Sequence, residues 1–99
     1  MYKRISVSQA REILDGDGES VLLDIRDYES YNQSHASRAI HVNQDVLSHF
    51  IYNTPKDVSV LVICYHGNSS QSLAQYLSSH GFMNVYSVDG GYEAWIDSE

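Results

Sequence analysis

The only cysteine in this 99-residue sequence, Cys64, stands where a thiol could act as a nucleophile. It ends the apolar run SVLVIC (59–64) and is followed by the small and polar residues YHGNSS. Free cysteine is among the most buried residue types, so a thiol there could simply complete a core strand. A thiol exposed at the end of the strand would instead be a nucleophile. The residues by themselves leave both interpretations open.

The loop after Cys64 favours negative charge on sulfur. It leads into a predicted helix that Ser69 or Ser70 can cap, and the first turn of a helix offers unpaired N–H groups and the positive end of the helix dipole. Gly67 can adopt backbone angles that let successive N–H groups curve inward around an anion. Cysteines at helix N-termini have pKa values of roughly 3.5–7.5, against about 8.5 for a free thiol. We therefore expect the Cys64 thiol to ionise readily.

Short strands that alternate with helices are expected to position this loop. Strands are predicted within YKRISV (2–7), VLLDIR (21–26), AIHV (39–42), SVLVIC (59–64) and NVYSV (84–88), and DGG (89–91) is expected to form only a turn. Helices are predicted to begin at Ser8, within residues 28–34, at Asn43 or Asp45, at Ser69 or Ser70, and over YEAWI (92–96). This alternation predicts an α/β domain with a mainly parallel sheet, in which the most apolar run, SVLVIC, is the central strand. Ligands of such sheets bind at the carboxyl ends of the strands, where Cys64 would lie.

The composition restricts the classes of function. The 42% hydrophobic content is typical of a folded chain, here expected to form one domain over residues 1–99. Thirteen carboxylates against six lysines and arginines give a net charge of −7, which argues against nucleic acid or an anionic membrane as a partner. One cysteine excludes an internal disulfide, and no segment approaches the roughly 18 apolar residues of a membrane span. We expect a cytoplasmic protein.

Several motifs together resemble the single-domain rhodanese family, most closely its small bacterial thiosulfate sulfurtransferases. They are LLDIRD (22–27), SHASRAIHV (34–42), CYHGNSS (64–70) and VYSVDGGYEAW (85–95), and the resemblance spans roughly residues 4–96. It implies a rhodanese-like α/β fold, with a parallel sheet of about five strands flanked by helices on both faces. It also implies an enzyme that transfers sulfur through a cysteine persulfide.

The resemblance assigns roles to the residues of the loop. Cys64 matches the family's catalytic nucleophile, whose thiolate would attack the outer sulfur of thiosulfate and expel sulfite. The sulfur would then pass to cyanide or to a dithiol such as reduced thioredoxin. No cofactor and no metal are implied. The backbone amides of the remaining loop residues would hold the persulfide and the anionic donor; these residues are Tyr65, His66, Gly67, Asn68 and Ser69.

Two positions depart from the family pattern. Many rhodaneses end the loop with a basic residue, where this chain has Ser69, and small relatives that share the serine pair continue with a lysine, where this chain has Gln71. We therefore expect modest affinity for the thiosulfate dianion. Ser70 and Arg26 are supporting candidates, although for Arg26 an ion pair with a nearby carboxylate is favoured over a contact with substrate.

Two other classes of function remain as alternatives. A phosphatase or arsenate reductase of related fold usually places an arginine where this chain has Ser70, because a guanidinium clamps phosphate through two hydrogen bonds. A non-catalytic rhodanese-like module that binds a partner often lacks the cysteine, so Cys64 in an intact loop argues against that class.

Overall fold

Five parallel strands form one sheet in the computed structural model, which describes residues 1–99. The strands are β1 (Lys3–Ile5), β2 (Ser20–Asp24), β3 (Ala39–His41), β4 (Ser59–Ile63) and β5 (Asn84–Val88). Their order across the sheet is β1-β5-β4-β2-β3, and every neighbouring pair is parallel. The predicted α/β fold and the central position of the most apolar strand are therefore confirmed.

Five helices cover both faces of the sheet. They are α1 (Val7–Asp15), α2 (Tyr28–Gln33), α3 (Gln44–Asn53), α4 (Ser69–Ser79) and α5 (Gly91–Asp97). One hydrophobic core lies between the sheet and helices α1 and α5, and a second lies between the opposite face and helices α3 and α4. None of the helices is long and apolar enough to cross a membrane.

Strand β4 is continuously apolar because both of its faces are buried. Leu61 and Ile63 point into the first core, whereas Val60 and Val62 point into the second, and all four side chains are fully buried. Alternate side chains of a strand point to opposite faces, so a covered strand needs apolar residues at every position. Packing on both faces fixes the strand, and the fixed strand holds the next residue, Cys64, in a defined position.

Two helices have N-cap residues other than those predicted. Helix α1 is capped by Ser6 rather than Ser8, because Ser6 and Gln9 form a reciprocal pair of hydrogen bonds between side chain and backbone. Helix α4 begins at Ser69, but its N-cap residue is Asn68 rather than Ser69 or Ser70, and Asn68 makes no side-chain capping bond. Helix α3 begins after Asn43, as predicted.

A buried ion pair stands at the carboxyl end of β2. Asp24 is fully buried and Arg26 is 5% exposed, and the guanidinium Nη2 donates to Asp24 Oδ2 at 2.9 Å and to the Ser34 carbonyl at 2.8 Å. The guanidinium also lies 3.9 Å from the centre of the Tyr92 ring. The ion pair expected for Arg26 is present, and it connects β2 with the end of α2 and with α5.

Removal of the Asp24 carboxylate should destabilise the fold strongly. The Asp24→Ala variant would leave Arg26 buried without a counter-charge, so we expect the free energy of unfolding to fall by about 3–5 kcal/mol. Urea denaturation of both proteins measures this difference. Asp89→Ala is the matched control, because Asp89 pairs with Arg4 on the surface and its loss should change the stability little. A similarly small change for Asp24→Ala would contradict the expectation.

Candidate active site

Cys64 follows directly after β4 and is buried, yet polar groups surround its sulfur. The residue is only 3% exposed. Its Sγ accepts hydrogen bonds from the backbone amides of Gly67, at 3.2 Å, and Ser70, at 3.3 Å. The Ser70 hydroxyl oxygen lies 3.3 Å from the same sulfur. The thiol therefore combines the burial of a core residue with an environment that a core residue would not need.

These donors explain the acidity of the thiol. Burial acts to raise the pKa of Cys64, because it disfavours the charged form. The Ser70 hydroxyl and the amides of Ser70, Gly67 and His66 act in the opposite direction and together outweigh burial, so the pKa lies below its ordinary value. The thiolate is thus stabilised by neutral dipoles.

Gly67 gives the loop its shape. Its φ angle is +94°, in the left-handed region that favours glycine. A Cβ atom at this position would lie 2.8 Å from the amide nitrogen of Gly90, which is too close for any side chain. The amides of Tyr65, Asn68 and Ser69 donate to no other group of the protein, so they remain free to bind an anion.

Ser70 connects the sulfur to a second buried hydroxyl on β5. Ser70 and Ser87 are both fully buried, and their hydroxyl oxygens lie 2.7 Å apart. When Cys64 is a thiolate, the Ser70 hydroxyl donates to sulfur and can in turn accept from Ser87. The sequence identified Ser70 only as a helix cap or supporting residue, and it did not identify Ser87, which is 17 residues further along the chain.

The N-terminus of α5 holds the other side of the loop. The amide of Tyr92 donates to the Cys64 carbonyl at 2.7 Å, and the amide of Glu93 donates to the Tyr65 carbonyl at 3.3 Å. Gly91 has a φ angle of +60°, and a Cβ atom there would lie 2.4 Å from the Cys64 carbonyl oxygen. The DGG segment is therefore more than the turn expected from the sequence, since it packs directly against the backbone of Cys64 and Tyr65.

The exposed side chains of the loop form contacts at its rim. The Tyr65 hydroxyl accepts a hydrogen bond from the Asp27 amide at 3.2 Å, and His66 Nδ1 lies 3.2 Å from a carboxylate oxygen of Glu93.

Asn68 and Ser69 are exposed, and their side chains form no hydrogen bond within the protein. Arg26 is paired with Asp24, and Arg4 is paired with Asp89 of the DGG segment, so the charges of these two arginines are already matched by carboxylates.

Comparison with known proteins identifies relatives over nearly the whole chain. The family model described as "Rhodanese-like domain" matches residues 6–98. The thiosulfate sulfurtransferase GlpE of Tolumonas auensis is 47% identical over 94 residues, which cover 95% of this chain and 88% of that protein.

Solved structures of similar proteins share the fold. A rhodanese-like domain protein from Staphylococcus aureus is 22% identical with a TM-score of 0.80, over 94% of this chain and 90% of that one. A rhodanese-related protein from Thermoplasma volcanium is 26% identical with a TM-score of 0.80, over 98% and 93% of the two chains. The resemblance seen in the sequence motifs is confirmed.

Loss of the Ser70 hydroxyl should make Cys64 less acidic. That hydroxyl is the strongest of the groups that lower the Cys64 pKa, so Ser70→Ala should raise the pKa. The thiolate fraction falls as the pH falls through the pKa, and the midpoint of Cys64 alkylation by iodoacetamide should therefore move to higher pH. Ser69→Ala removes an exposed, unpaired hydroxyl and should leave the midpoint unchanged. Equal midpoints for Ser70→Ala and the wild type would contradict this assignment.

Proposed function

Because the chain belongs to the rhodanese family, we propose that it is a thiosulfate sulfurtransferase acting through a persulfide on Cys64. The observation that carries the proposal is the sulfur of the only cysteine, held by two amides and a hydroxyl at the carboxyl end of the central strand. The 47% identity to a thiosulfate sulfurtransferase over most of the chain supports the choice of donor.

The first half-reaction loads sulfur onto Cys64. The thiolate attacks the outer sulfur of thiosulfate, a new S–S bond forms, and the S–S bond of thiosulfate breaks with its electron pair leaving on sulfite. The negative charge passes from Sγ to the outer sulfur of the persulfide. The unpaired amides of Tyr65, Asn68 and Ser69 are donors available to that sulfur and to the sulfonate group. Sulfite leaves as a stable anion, so no general acid is required.

The second half-reaction returns the enzyme to its thiolate. A nucleophilic acceptor attacks the outer sulfur and the persulfide bond breaks, with its electron pair returning to Sγ. Cyanide leaves as thiocyanate, and a dithiol such as reduced thioredoxin forms a disulfide and releases hydrosulfide. A lone reactive thiol needs a reducing compartment to stay free, so we place the enzyme in the cytoplasm.

The buried position of Ser70 weighs against a phosphatase or arsenate reductase. That chemistry usually places a guanidinium at this position to clamp the oxyanion, whereas the Ser70 hydroxyl lies between the Cys64 sulfur and the Ser87 hydroxyl. A purely partner-binding module would have no use for a thiol with a lowered pKa. Both alternatives therefore explain less of the site than sulfur transfer does.

Replacement of the nucleophile should separate catalysis from folding. A serine hydroxyl at position 64 is far less acidic and cannot form a persulfide, but it still offers an acceptor to the Gly67 and Ser70 amides. We expect Cys64→Ser to unfold within a few degrees of the wild type, while sulfite release from thiosulfate falls to the uncatalysed background. Turnover within a few-fold of the wild-type rate would refute the proposed mechanism.

A cation at the rim should improve the use of thiosulfate. Ser69 is exposed, and a lysine there could meet the sulfonate, whereas Arg4 and Arg26 are already paired with carboxylates. We expect Ser69→Lys to lower KM for thiosulfate by about two- to fivefold at low salt while kcat changes little, because an exposed ion pair binds ground and transition states alike.

The gain should disappear at high salt, where an exposed pair is screened. Ser69→Gln adds length without charge and serves as the control. If Ser69→Lys and Ser69→Gln give the same KM at low salt, the sulfonate does not approach this position.

A further inference from the structure

Gln71, in the first turn of α4, is bound at both ends of its side-chain amide. Its Nε2 donates to the Gly67 carbonyl at 2.9 Å, and its Oε1 accepts a hydrogen bond from the Tyr2 hydroxyl at 3.0 Å. The Gly67 carbonyl can only accept, which fixes the orientation of the Gln71 amide. Tyr2 lies 69 residues away in the sequence, so this contact ties the N-terminal segment to the active loop.

The Gln71 contact determines which way one peptide unit of the loop faces. In a trans peptide the C=O and N–H groups point to opposite sides, so holding the Gly67 carbonyl towards Gln71 directs the Asn68 amide away from it. The Asn68 amide has no acceptor in the protein. Gly67 has no side chain to resist rotation of this peptide unit, and rotation would turn a carbonyl oxygen towards a bound anion.

We propose that Gln71, braced by Tyr2, is a positioning residue that keeps the Asn68 amide rather than the Gly67 carbonyl facing the bound anion. The identification of that anion as thiosulfate rests on the function proposed above. The thiolate itself does not depend on the contact, because the Gly67 N–H that binds Sγ belongs to the preceding peptide unit. Small relatives were expected to have a lysine at position 71, which could attract an anion by its charge. In this chain the neutral Gln71 instead holds the Gly67 carbonyl of the loop in one orientation.

The proposal can be tested without sulfur transfer by comparing two reagents that alkylate Cys64, one neutral and one negatively charged. Iodoacetamide is neutral and reports the Cys64 thiolate, whereas iodoacetate is an anion that also needs the loop amides. In Gln71→Met, which keeps the length of the side chain, we expect the ratio of iodoacetate to iodoacetamide rate constants to fall roughly 3- to 10-fold, the factor for one hydrogen bond. The pH midpoint of iodoacetamide alkylation should stay at its wild-type value.

Gln75→Met is the matched control, since Gln75 is exposed one turn further along α4 and should leave the ratio unchanged. Tyr2→Phe should lower the ratio by a smaller factor, and it should have no further effect when added to Gln71→Met, because both act through one contact. Tyr2→Phe also keeps the test open should Gln71→Met fail to fold. Tyr52→Phe, at a tyrosine 89% exposed, controls for the loss of a hydroxyl.

Three outcomes would overturn the inference: an unchanged ratio in Gln71→Met, a shifted iodoacetamide midpoint, or additive effects of Tyr2→Phe and Gln71→Met. The second outcome would mean that the whole loop moves rather than one peptide unit. Single-turnover sulfite release should fall by the same factor as the iodoacetate ratio. If the wild type releases no sulfite from thiosulfate while the rate ratio still falls in Gln71→Met, the positioning role of Gln71 is supported and thiosulfate is not the sulfur donor.

Discussion

Hydrogen bonds to a buried sulfur anion are the constraint on which the rest of this structure depends. A thiolate that is almost fully enclosed must receive donors from the protein, because it has little access to water. The amides of Gly67 and Ser70 and the Ser70 hydroxyl supply them, and each requires support from elsewhere. Side chains of β4 are buried in both hydrophobic cores, which fixes the strand that precedes Cys64. The Tyr92 amide of α5 donates a hydrogen bond to the Cys64 carbonyl.

The attraction for an anion is local and is made of dipoles. The protein carries a net charge of −7, and the arginines beside the site are paired with carboxylates. Unpaired amides at the start of α4 are therefore the groups left to bind a negatively charged donor. Such a site stabilises a negative charge on the sulfur of Cys64 or of its persulfide more than it stabilises a dianion bound from solution. This is consistent with the proposed persulfide chemistry and with modest affinity for thiosulfate.

The fold, and the position of Cys64 beside backbone amide donors, could be predicted from the sequence because both depend on local patterns. The apolar run of β4, the glycine after Cys64 and the helix that follows are all visible within about twenty residues. Ser87, Gly91 and Tyr2 were not identified, since each matters through a contact with a residue distant in the chain. Gln71 was noticed only as a missing lysine, because its hydrogen bond with Tyr2 forms only once the residues before β1 and helix α4 have come together.

The measurement that tests the central claim most directly is the intact mass of the protein after incubation with thiosulfate and removal of the excess. We expect the wild type to gain the mass of one sulfur atom and to lose it again on addition of cyanide or a reduced dithiol. Cys64→Ser should gain nothing. A wild-type protein that remains at its original mass, although its Cys64 is free and reacts with iodoacetamide, would contradict a persulfide mechanism with thiosulfate as donor.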